Sequence, residues 1–194
     1  MAGGAAPDRA GGPQCPVLLV RRSPTSPKSR LFWPILIAVV IADRAAKRAV
    51  VAALSPALVP HDIVGSTVRF TLSYNPAAVF GLSIGPWSRI ALIVITLVIL
   101  AILLRMYVQA AARDRIMAVA LGLICGGALG NLLDRLLSPA GVVDFIDVGV
   151  GAVRFWTFNV ADSGITVGAI LLAIVLWRTG GQAPRRESEP GRRD

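Results

Sequence analysis

The sequence predicts an all-α membrane protein that has four transmembrane helices and a small extracytoplasmic β-element on its outer face. Of its 194 residues, 55% are hydrophobic and only 16% are charged. A soluble domain of this length needs a more polar surface, so the composition favours a polytopic membrane protein. The hydrophobic residues also fall into four separate segments. Each segment meets or approaches the roughly 20 helical residues that cross a hydrocarbon core of about 30 Å.

The four predicted helices follow one another within residues 31–178. They cover or are centred on residues 31–54, 90–104, 116–137 and 159–177. The first helix is interrupted by four charged side chains, Asp43, Arg44, Lys47 and Arg48. Polar tails flank this membrane domain. Residues 1–30 are rich in Gly, Ala, Pro, Ser and Arg, residues 179–194 are polar and Arg-rich, and both are predicted to be disordered.

The formal charge of +9 is distributed unevenly along the chain, and this distribution predicts the orientation. Lys and Arg are concentrated in both tails and around the loop between the second and third helices. The loops 55–87 and 138–157 hold only Arg69 and Arg154. Because cytoplasmic loops carry the excess of Lys and Arg, both termini are predicted to be cytoplasmic and both Arg-poor loops to face outside. The basic charge thus has a topological explanation, and no nucleic-acid partner is expected.

The two outward loops carry the predicted β-element. Residues 68–74 alternate apolar and polar side chains, which is the period-two pattern of a half-buried strand. Residues 142–158 are rich in β-branched, aromatic and Gly residues and are expected to supply a second strand. A small sheet is therefore predicted on the outer surface.

Polar residues of three predicted helices converge on the same side of the membrane. The first and third helices run outward, so Asp43, Asn131, Asp134 and Arg135 lie near their outer ends. The fourth helix runs inward, and Asp162 lies near its outer start. Ionisable side chains at membrane depth are costly and are usually functional. We therefore expect one site at the outer membrane–water boundary.

Asp144 and Asp162 are the candidate catalytic residues, because two close carboxylates share one proton and together activate water. The ionised carboxylate takes a proton from water while the protonated one polarises a scissile carbonyl. Simpler roles are open for both residues. Asp162 is also suited to be the N-cap of the fourth helix, and Asp144 to be a solvated loop residue.

Structural roles are open for the neighbouring polar residues as well. Asp43 and Lys47 have the i,i+4 spacing of a helical ion pair. Asp134 is expected to anchor the end of the third helix at the interface. Three asparagines are expected either to orient a carboxylate or a peptide backbone, or to serve as helix and turn devices; they are Asn75, Asn131 and Asn159.

Five short motifs follow one another through residues 31–178. They are DRAAK at 43–47, NPAAVFG at 75–81, GGALGNLLDR at 126–135, VVDF at 142–145 and FNVADSGITVG at 158–168. In this order, and on the predicted outer side of four helices, they resemble the lipoprotein signal peptidases, the bacterial signal peptidase II family. Two motifs depart from the family pattern: Arg44 and Ala46 stand where it has Gln and Thr, and Ala77 and Val79 where it has Gly and Ala.

The resemblance implies a four-helix membrane peptidase domain over residues 31–178. The implied activity is that of an aspartic endopeptidase, which removes signal peptides from prolipoproteins by cleaving before the diacylglyceryl-modified Cys. The implied catalytic pair is Asp144 and Asp162. The residues that line or support the site are then Asp43, Asn75, Asn131, Arg135 and Asn159.

The expected surroundings of this enzyme follow from the same resemblance. No metal and no other cofactor is expected. The expected partners are diacylglyceryl-modified prolipoproteins and membrane lipid, and the protein is expected to be a monomer. It is expected in the bacterial cytoplasmic (inner) membrane, with its active site at the outer leaflet.

Two other classes of function remain open at this point. A small secondary transporter would use Asp43, Asp134 and Asp162 as a proton relay, but the internal repeat typical of such proteins is not found between the two helix pairs. A metal-dependent lipid phosphotransferase would use Asp144 and Asp147 as ligands of Mg²⁺. Sensitivity to a chelator distinguishes that enzyme from an aspartic protease.

Overall fold

The computed structural model describes residues 26–76 and 87–180, and within these ranges it contains four long helices and four strands. The helices are α1 (Ser29–Ala53), α2 (Ser88–Gln109), α3 (Arg115–Leu137) and α4 (Val160–Gly180). The strands are β1 (Pro60–Val64), β2 (Val68–Asn75), β3 (Val142–Val150) and β4 (Val153–Arg154). Residues 1–25 and 181–194 of the two tails, and residues 77–81 of the second motif, lie outside the described residues. The predicted disorder is wrong for residues 26–30, because α1 begins at Ser29 and the Lys28 Nζ donates to the Tyr107 carbonyl at 2.8 Å, and for residues 179–180, which belong to α4.

In the described part of the chain, three helices are long and apolar enough to cross a membrane. They are Ser88–Gln109, Arg115–Leu137 and Val160–Arg178, with 22, 23 and 19 residues. Helix α1 is longer, at 25 residues, but it carries the four charged side chains noted above. The prediction of a helical membrane protein with a small antiparallel sheet is therefore confirmed, with three helices that qualify as spans by length and composition.

Helix α3 is the central helix, and its glycines let the neighbouring helices approach closely. It packs against α1 on one side and against α4 on the other. A Cβ at Gly126 would lie 2.9 Å from the carbonyl oxygen of Leu36 in α1. A Cβ at Gly127 would overlap the carbonyl oxygen of Ala161 in α4. This close approach is what brings the polar side chains of α1, α3 and α4 into direct contact.

The strands form one antiparallel sheet in the order β1-β2-β3-β4. Its central pair is β2 and β3, in which Ser73 lies opposite Asp144. The buried side chain of Leu72 belongs to a hydrophobic cluster with Phe145 of β3 and Val50 near the end of α1. The sheet therefore covers the end of the helix bundle at which α1 ends and α4 begins.

Both predicted strands are confirmed. Residues 68–74 lie in β2, and the segment 142–158 contains β3 and β4. Strand β1 was not predicted from the sequence PHDIV, because its polar and apolar residues do not alternate. All five of its residues are exposed in the structure. An edge strand with no buried face has no reason to show a period of two.

Candidate active site

The first turn of α4 is organised by a reciprocal pair of hydrogen bonds between Asn159 and Asp162. The Asn159 Oδ1 accepts from the backbone N–H of Asp162 at 2.9 Å, and the Asp162 Oδ2 accepts from the backbone N–H of Asn159 at 3.2 Å. This arrangement is a capping box, in which the N-cap residue and the third helical residue satisfy each other's free N–H groups. The N-cap is therefore Asn159 rather than Asp162. Since only Oδ2 of Asp162 is used in the cap, Oδ1 is available to face another group.

Asp144 lies inside strand β3 and is buried, with 6% of its surface exposed. The alternative of a solvated loop residue is therefore wrong, because β3 pairs with β2 and packs against the helix bundle. The Asp144 Oδ1 accepts a hydrogen bond from the Asn159 Nδ2 at 2.7 Å. Burial raises the pKa of Asp144 from 3.8 to about 7, and the nearby charge of Asp162 acts in the same direction. Hydrogen bonds from Asn159 and Asn75 oppose the increase.

Two buried amides connect the two candidate catalytic carboxylates. The Asn131 Nδ2 donates to the Asp162 Oδ1 at 2.8 Å. The Asn159 Nδ2 lies within hydrogen-bonding distance of both the Asp144 Oδ1 (2.7 Å) and the Asn131 Oδ1 (3.1 Å). Both asparagines thus orient carboxylates, which is one of the roles expected for them. They also establish that residues from α3, β3 and α4 form one site.

Behind Asn131 lies a cluster of four charged residues, which we call the ion cluster: Asp43, Arg44, Lys47 and Asp134. The Lys47 Nζ lies 2.7 Å from Asp43 Oδ2 and 2.7 Å from Asp134 Oδ2, and the Arg44 Nη1 lies 2.8 Å from Asp134 Oδ1. The predicted pair of Asp43 and Lys47 is therefore present. Asp134 is buried within these pairs instead of anchoring a helix end at the interface. Asp43 also accepts from the backbone N–H of Ala161, at 3.0 Å, and so contacts the first turn of α4.

A cavity of about 830 Å³ opens beside the two carboxylates. Five of the seven predicted site residues line it, namely Asn75, Asn131, Arg135, Asp144 and Asp162. The other two, Asp43 and Asn159, lie behind the wall and support it. The remaining wall is largely apolar and aromatic, and it includes Phe155, Trp156, Phe158, Ile165 and Val167.

Sequence reasoning did not assign the aromatic wall or the role of Arg44 in the ion cluster. The pair Phe155-Trp156, directly before a polar helix start, was the available signal for the wall. Arg44 gave no signal, because its partner Asp134 is 90 residues away in sequence.

The arrangement around Asp147 bears on the alternative metal site. The Asp147 Oδ1 lies 2.6 Å from the Arg154 Nε, and its Oδ2 accepts from the Thr71 Oγ1 at 3.2 Å. Asp147 does not line the cavity. Within residues 26–76 and 87–180, no group of three or more His, Cys, Asp or Glu side chains is arranged to hold a metal ion. The geometry therefore favours Asp162, and not Asp147, as the functional neighbour of Asp144.

Taken together, the fold and the site define a class: a helical membrane protein with two carboxylates at the wall of one cavity, at the end of its helix bundle. Comparison with known families is consistent with this class. The model of the signal peptidase (SPase) II family matches residues 35–178. The chain therefore belongs to the signal peptidase II family.

Individual relatives agree with the family match. A lipoprotein signal peptidase of Pelotomaculum thermopropionicum is 36% identical over 158 residues, covering 81% of this chain and 99% of the relative. One from Staphylococcus haemolyticus is 33% identical over 142 residues, covering 73% and 87%. A solved bacterial membrane enzyme matches with a TM-score of 0.68 and 31% identity, covering 80% of this chain and 93% of that one. The predicted enzyme class is confirmed: a protease of the family that processes the signal peptides of prolipoproteins.

Proposed function

We propose that the protein removes signal peptides by cleaving the peptide bond before a diacylglyceryl-modified cysteine, with Asp144 and Asp162 as its catalytic pair. The observation that supports this proposal most directly is the connection of the two carboxylates through Asn131 and Asn159 at the wall of one cavity. Each carboxylate receives an amide N–H, and each retains atoms that face the cavity.

The two aspartates have different environments, which suits them to different roles. A pKa of about 7 leaves Asp144 substantially protonated near neutral pH, so it is the general acid. Asp162 receives N–H donors from Asn131 and from the Asn159 backbone, and it lies in the first turn of α4. The positive end of the helix dipole favours a negative charge there. Asp162 is therefore the general base.

The proposed reaction has two steps, and both conserve protons. In the first, Asp162 takes a proton from water, the water oxygen bonds to the scissile carbonyl carbon, and Asp144 gives its proton to the carbonyl oxygen. In the second, Asp162 gives its proton to the leaving nitrogen while Asp144 takes one from the tetrahedral intermediate. The carbon–nitrogen bond then breaks. The products are a carboxylic acid and a free amine, and the two aspartates return to their starting states.

The rest of the cavity wall suits a lipid-modified peptide. Arg135 and Asn75 supply the polar contacts for a peptide backbone, and both lie on the same cavity wall as the catalytic pair. Trp156, Ile165 and Val167 offer an apolar surface for the diacylglyceryl chains. Because α4 is itself apolar enough to span a membrane, this surface leads toward lipid.

We also propose that α1 is the fourth transmembrane helix. Its 25 residues extend roughly 37 Å at 1.5 Å per residue. Asp43 and Lys47 are buried against α3 and α4, whereas Ile37 and Ile41 are at least half exposed. Asp43 and Lys47 are thus turned away from lipid. With the Lys and Arg distribution, this supports cytoplasmic termini, and a site and sheet at the outer leaflet of the inner membrane. One chain supplies every site residue, which supports a monomer.

Incubation with a defined substrate tests the proposed function. Purified protein is incubated with a diacylglyceryl-modified prolipoprotein, and the masses of both products are measured. The expected new N-terminus is the modified cysteine, and EDTA leaves the rate unchanged. The matched controls are the unmodified prolipoprotein and the Asp144→Asn variant, neither of which is expected to give product. Cleavage at another bond, or a rate that EDTA abolishes, contradicts the proposal.

A further inference from the structure

The orientation of the Asn131 amide decides whether the catalytic pair receives its hydrogen bonds. An amide offers an oxygen that accepts and a nitrogen that donates. The Asn131 Nδ2 must face Asp162 for the 2.8 Å hydrogen bond to form, so its Oδ1 must face away. Reversal of this amide would point an oxygen at the Asp162 carboxylate and replace an attraction with a repulsion. Some group on the other side of Asn131 must therefore hold its oxygen.

Two donors contact this oxygen, the Asn159 Nδ2 and the Lys47 Nζ, and only Lys47 is charged. Its Nζ lies 3.0 Å from the Asn131 Oδ1, and the contact is buried. An ammonium group can only donate hydrogen bonds. It therefore favours the amide orientation in which the Asn131 oxygen faces Lys47. The Lys47 Nζ donates its hydrogen bond to the Asn131 Oδ1, and it also forms ion pairs with Asp43 and Asp134, at 2.7 Å from each carboxylate.

The donors of Asn159 show why Lys47 is needed. The Asn159 Nδ2 carries two hydrogens but lies near three acceptors, which are Asp144 Oδ1 at 2.7 Å, Asn131 Oδ1 at 3.1 Å and the Val143 carbonyl at 3.3 Å. It cannot serve all three fully. Lys47 is a second and charged donor to the Asn131 oxygen, so this oxygen does not depend on Asn159 alone, whose Nδ2 also serves Asp144 and Val143.

We propose that Lys47 is a positioning residue for the catalytic pair and that it acts through Asn131. It does not line the cavity, so it does not reach the substrate. Its ammonium holds the Asn131 oxygen, which directs one amide N–H to Asp162 and leaves the other amide, that of Asn159, to serve Asp144. The inference rests on the proposed function of Asp144 and Asp162.

The ion cluster supplies a matched pair of variants, because it consists of two ion pairs of equal and opposite charge. Replacing Lys47 alone would leave buried carboxylates uncompensated, which destabilises a protein strongly. The double variant Asp43→Asn/Lys47→Met removes one complete pair and leaves Arg44 with Asp134. The control Arg44→Gln/Asp134→Asn removes the other pair and leaves Lys47 with Asp43. Both variants keep the cluster neutral, and only the first removes the cation that contacts Asn131.

The expected difference lies in kcat and in the pH profile. Hydrogen bonds to charged groups are strong enough that Asp43→Asn/Lys47→Met is expected to lower kcat about 10- to 100-fold, with KM changed less than about threefold. The acidic limb of its pH–activity profile moves to higher pH, because a carboxylate that loses an N–H donor holds its proton more tightly. The control is expected to stay within about threefold of the wild-type rate with an unchanged profile.

Other groups that face the site must stay constant across this comparison. On the described elements, the charged and titratable residues around Asn131 and the catalytic pair are Asp43, Arg44, Lys47, Tyr74, Arg89, Asp134, Arg135, Asp144 and Asp162. Only members of the ion cluster are changed in either variant.

A second variant tests the same role if Asp43→Asn/Lys47→Met folds poorly. Asn131→Asp keeps an oxygen for Lys47 but has no N–H for Asp162, so it is expected to show the same loss of kcat. The Asp144→Asn and Asp162→Asn variants are measured alongside. If these retain activity, the proposed catalytic pair is wrong. If they are inactive but both double variants behave alike, or Asn131→Asp stays near the wild-type rate, the positioning role of Lys47 is refuted.

Discussion

Asp144→Asn should abolish cleavage and, at the same time, make the protein more stable at alkaline pH. Burial and the charge of Asp162 raise the pKa of Asp144 from 3.8 to about 7. The folded protein therefore holds this proton more tightly than the unfolded chain does. The contribution of the Asp144 proton to the free energy of unfolding is complete below about pH 4. It decreases as the pH rises to about 7 and stays low above that pH. At 1.36 kcal/mol for each pKa unit, the loss approaches about 4 kcal/mol.

Asparagine has nearly the same shape as aspartate, and its oxygen can still accept from Asn159. Because asparagine does not ionise, the variant does not lose this stability as the pH rises. The free energy of unfolding of Asp144→Asn should therefore exceed that of the wild type at pH 8 by up to about 4 kcal/mol. At pH 4 the two proteins should differ little. The measurement is the thermal unfolding of both detergent-solubilised proteins across this pH range.

Asp147→Asn is the matched control on the same strand. The Asp147 carboxylate lies 2.6 Å from the Arg154 Nε and outside the cavity. Its removal is expected to lower stability at pH 8 by about 1 kcal/mol while cleavage continues. If Asp144→Asn gains no stability at pH 8, or gains the same amount at pH 4, Asp144 is not a buried acid and the proposed division of roles fails.

Four further predictions address the pH profile, the pair, the helix packing and the topology. Wild-type kcat/KM should fall about tenfold for each pH unit above 7, as Asp144 loses its proton, and a flat profile to pH 9 would exclude it as the acid. Asp162→Asn should be inactive, and the double variant Asp144→Asn/Asp162→Asn should be hardly less active than either single variant. Additive losses in single-turnover assays would mean that the two carboxylates act separately. Gly127→Ala places a Cβ against the α4 backbone, so it should lower both the melting temperature and kcat. Wild-type values for both would show that close packing of α3 against α4 is not required for stability or activity. Cysteines introduced at Ser66 and Ser138 should react with an impermeant thiol reagent in intact cells, and labelling of a cysteine within residues 107–114 instead would reverse the topology.

The helices were predictable because their signal is local. Twenty or so apolar residues in succession form a helix that satisfies its own backbone hydrogen bonds, so length and composition suffice. The predicted third helix, residues 116–137, differs from the observed α3 (Arg115–Leu137) by a single residue. The strand β2 was also predictable, because one of its faces is buried and its side chains alternate.

The candidate residues were identified from the sequence, but their grouping was only partly predictable. The depth argument correctly brought Asn131 and Asp162 to one end of the bundle. It did not reveal that Asn159 would cap α4 or that Asp144 would lie in a buried strand. Each of these facts depends on a partner from another element, and the pairing of β2 with β3 joins segments about 70 residues apart.

The sequence by itself determined the class of the protein, its helices and the residue types available for catalysis. These follow from hydropathy, charge distribution and short motifs, all of which are properties of neighbouring residues. The tertiary structure alone decided how the polar groups are paired. Lys47 contacts Asn131 across 84 residues, and Arg44 contacts Asp134 across 90. Such contacts arise because glycines let α3 approach α1 and α4, and because buried polar groups must find partners where water is excluded.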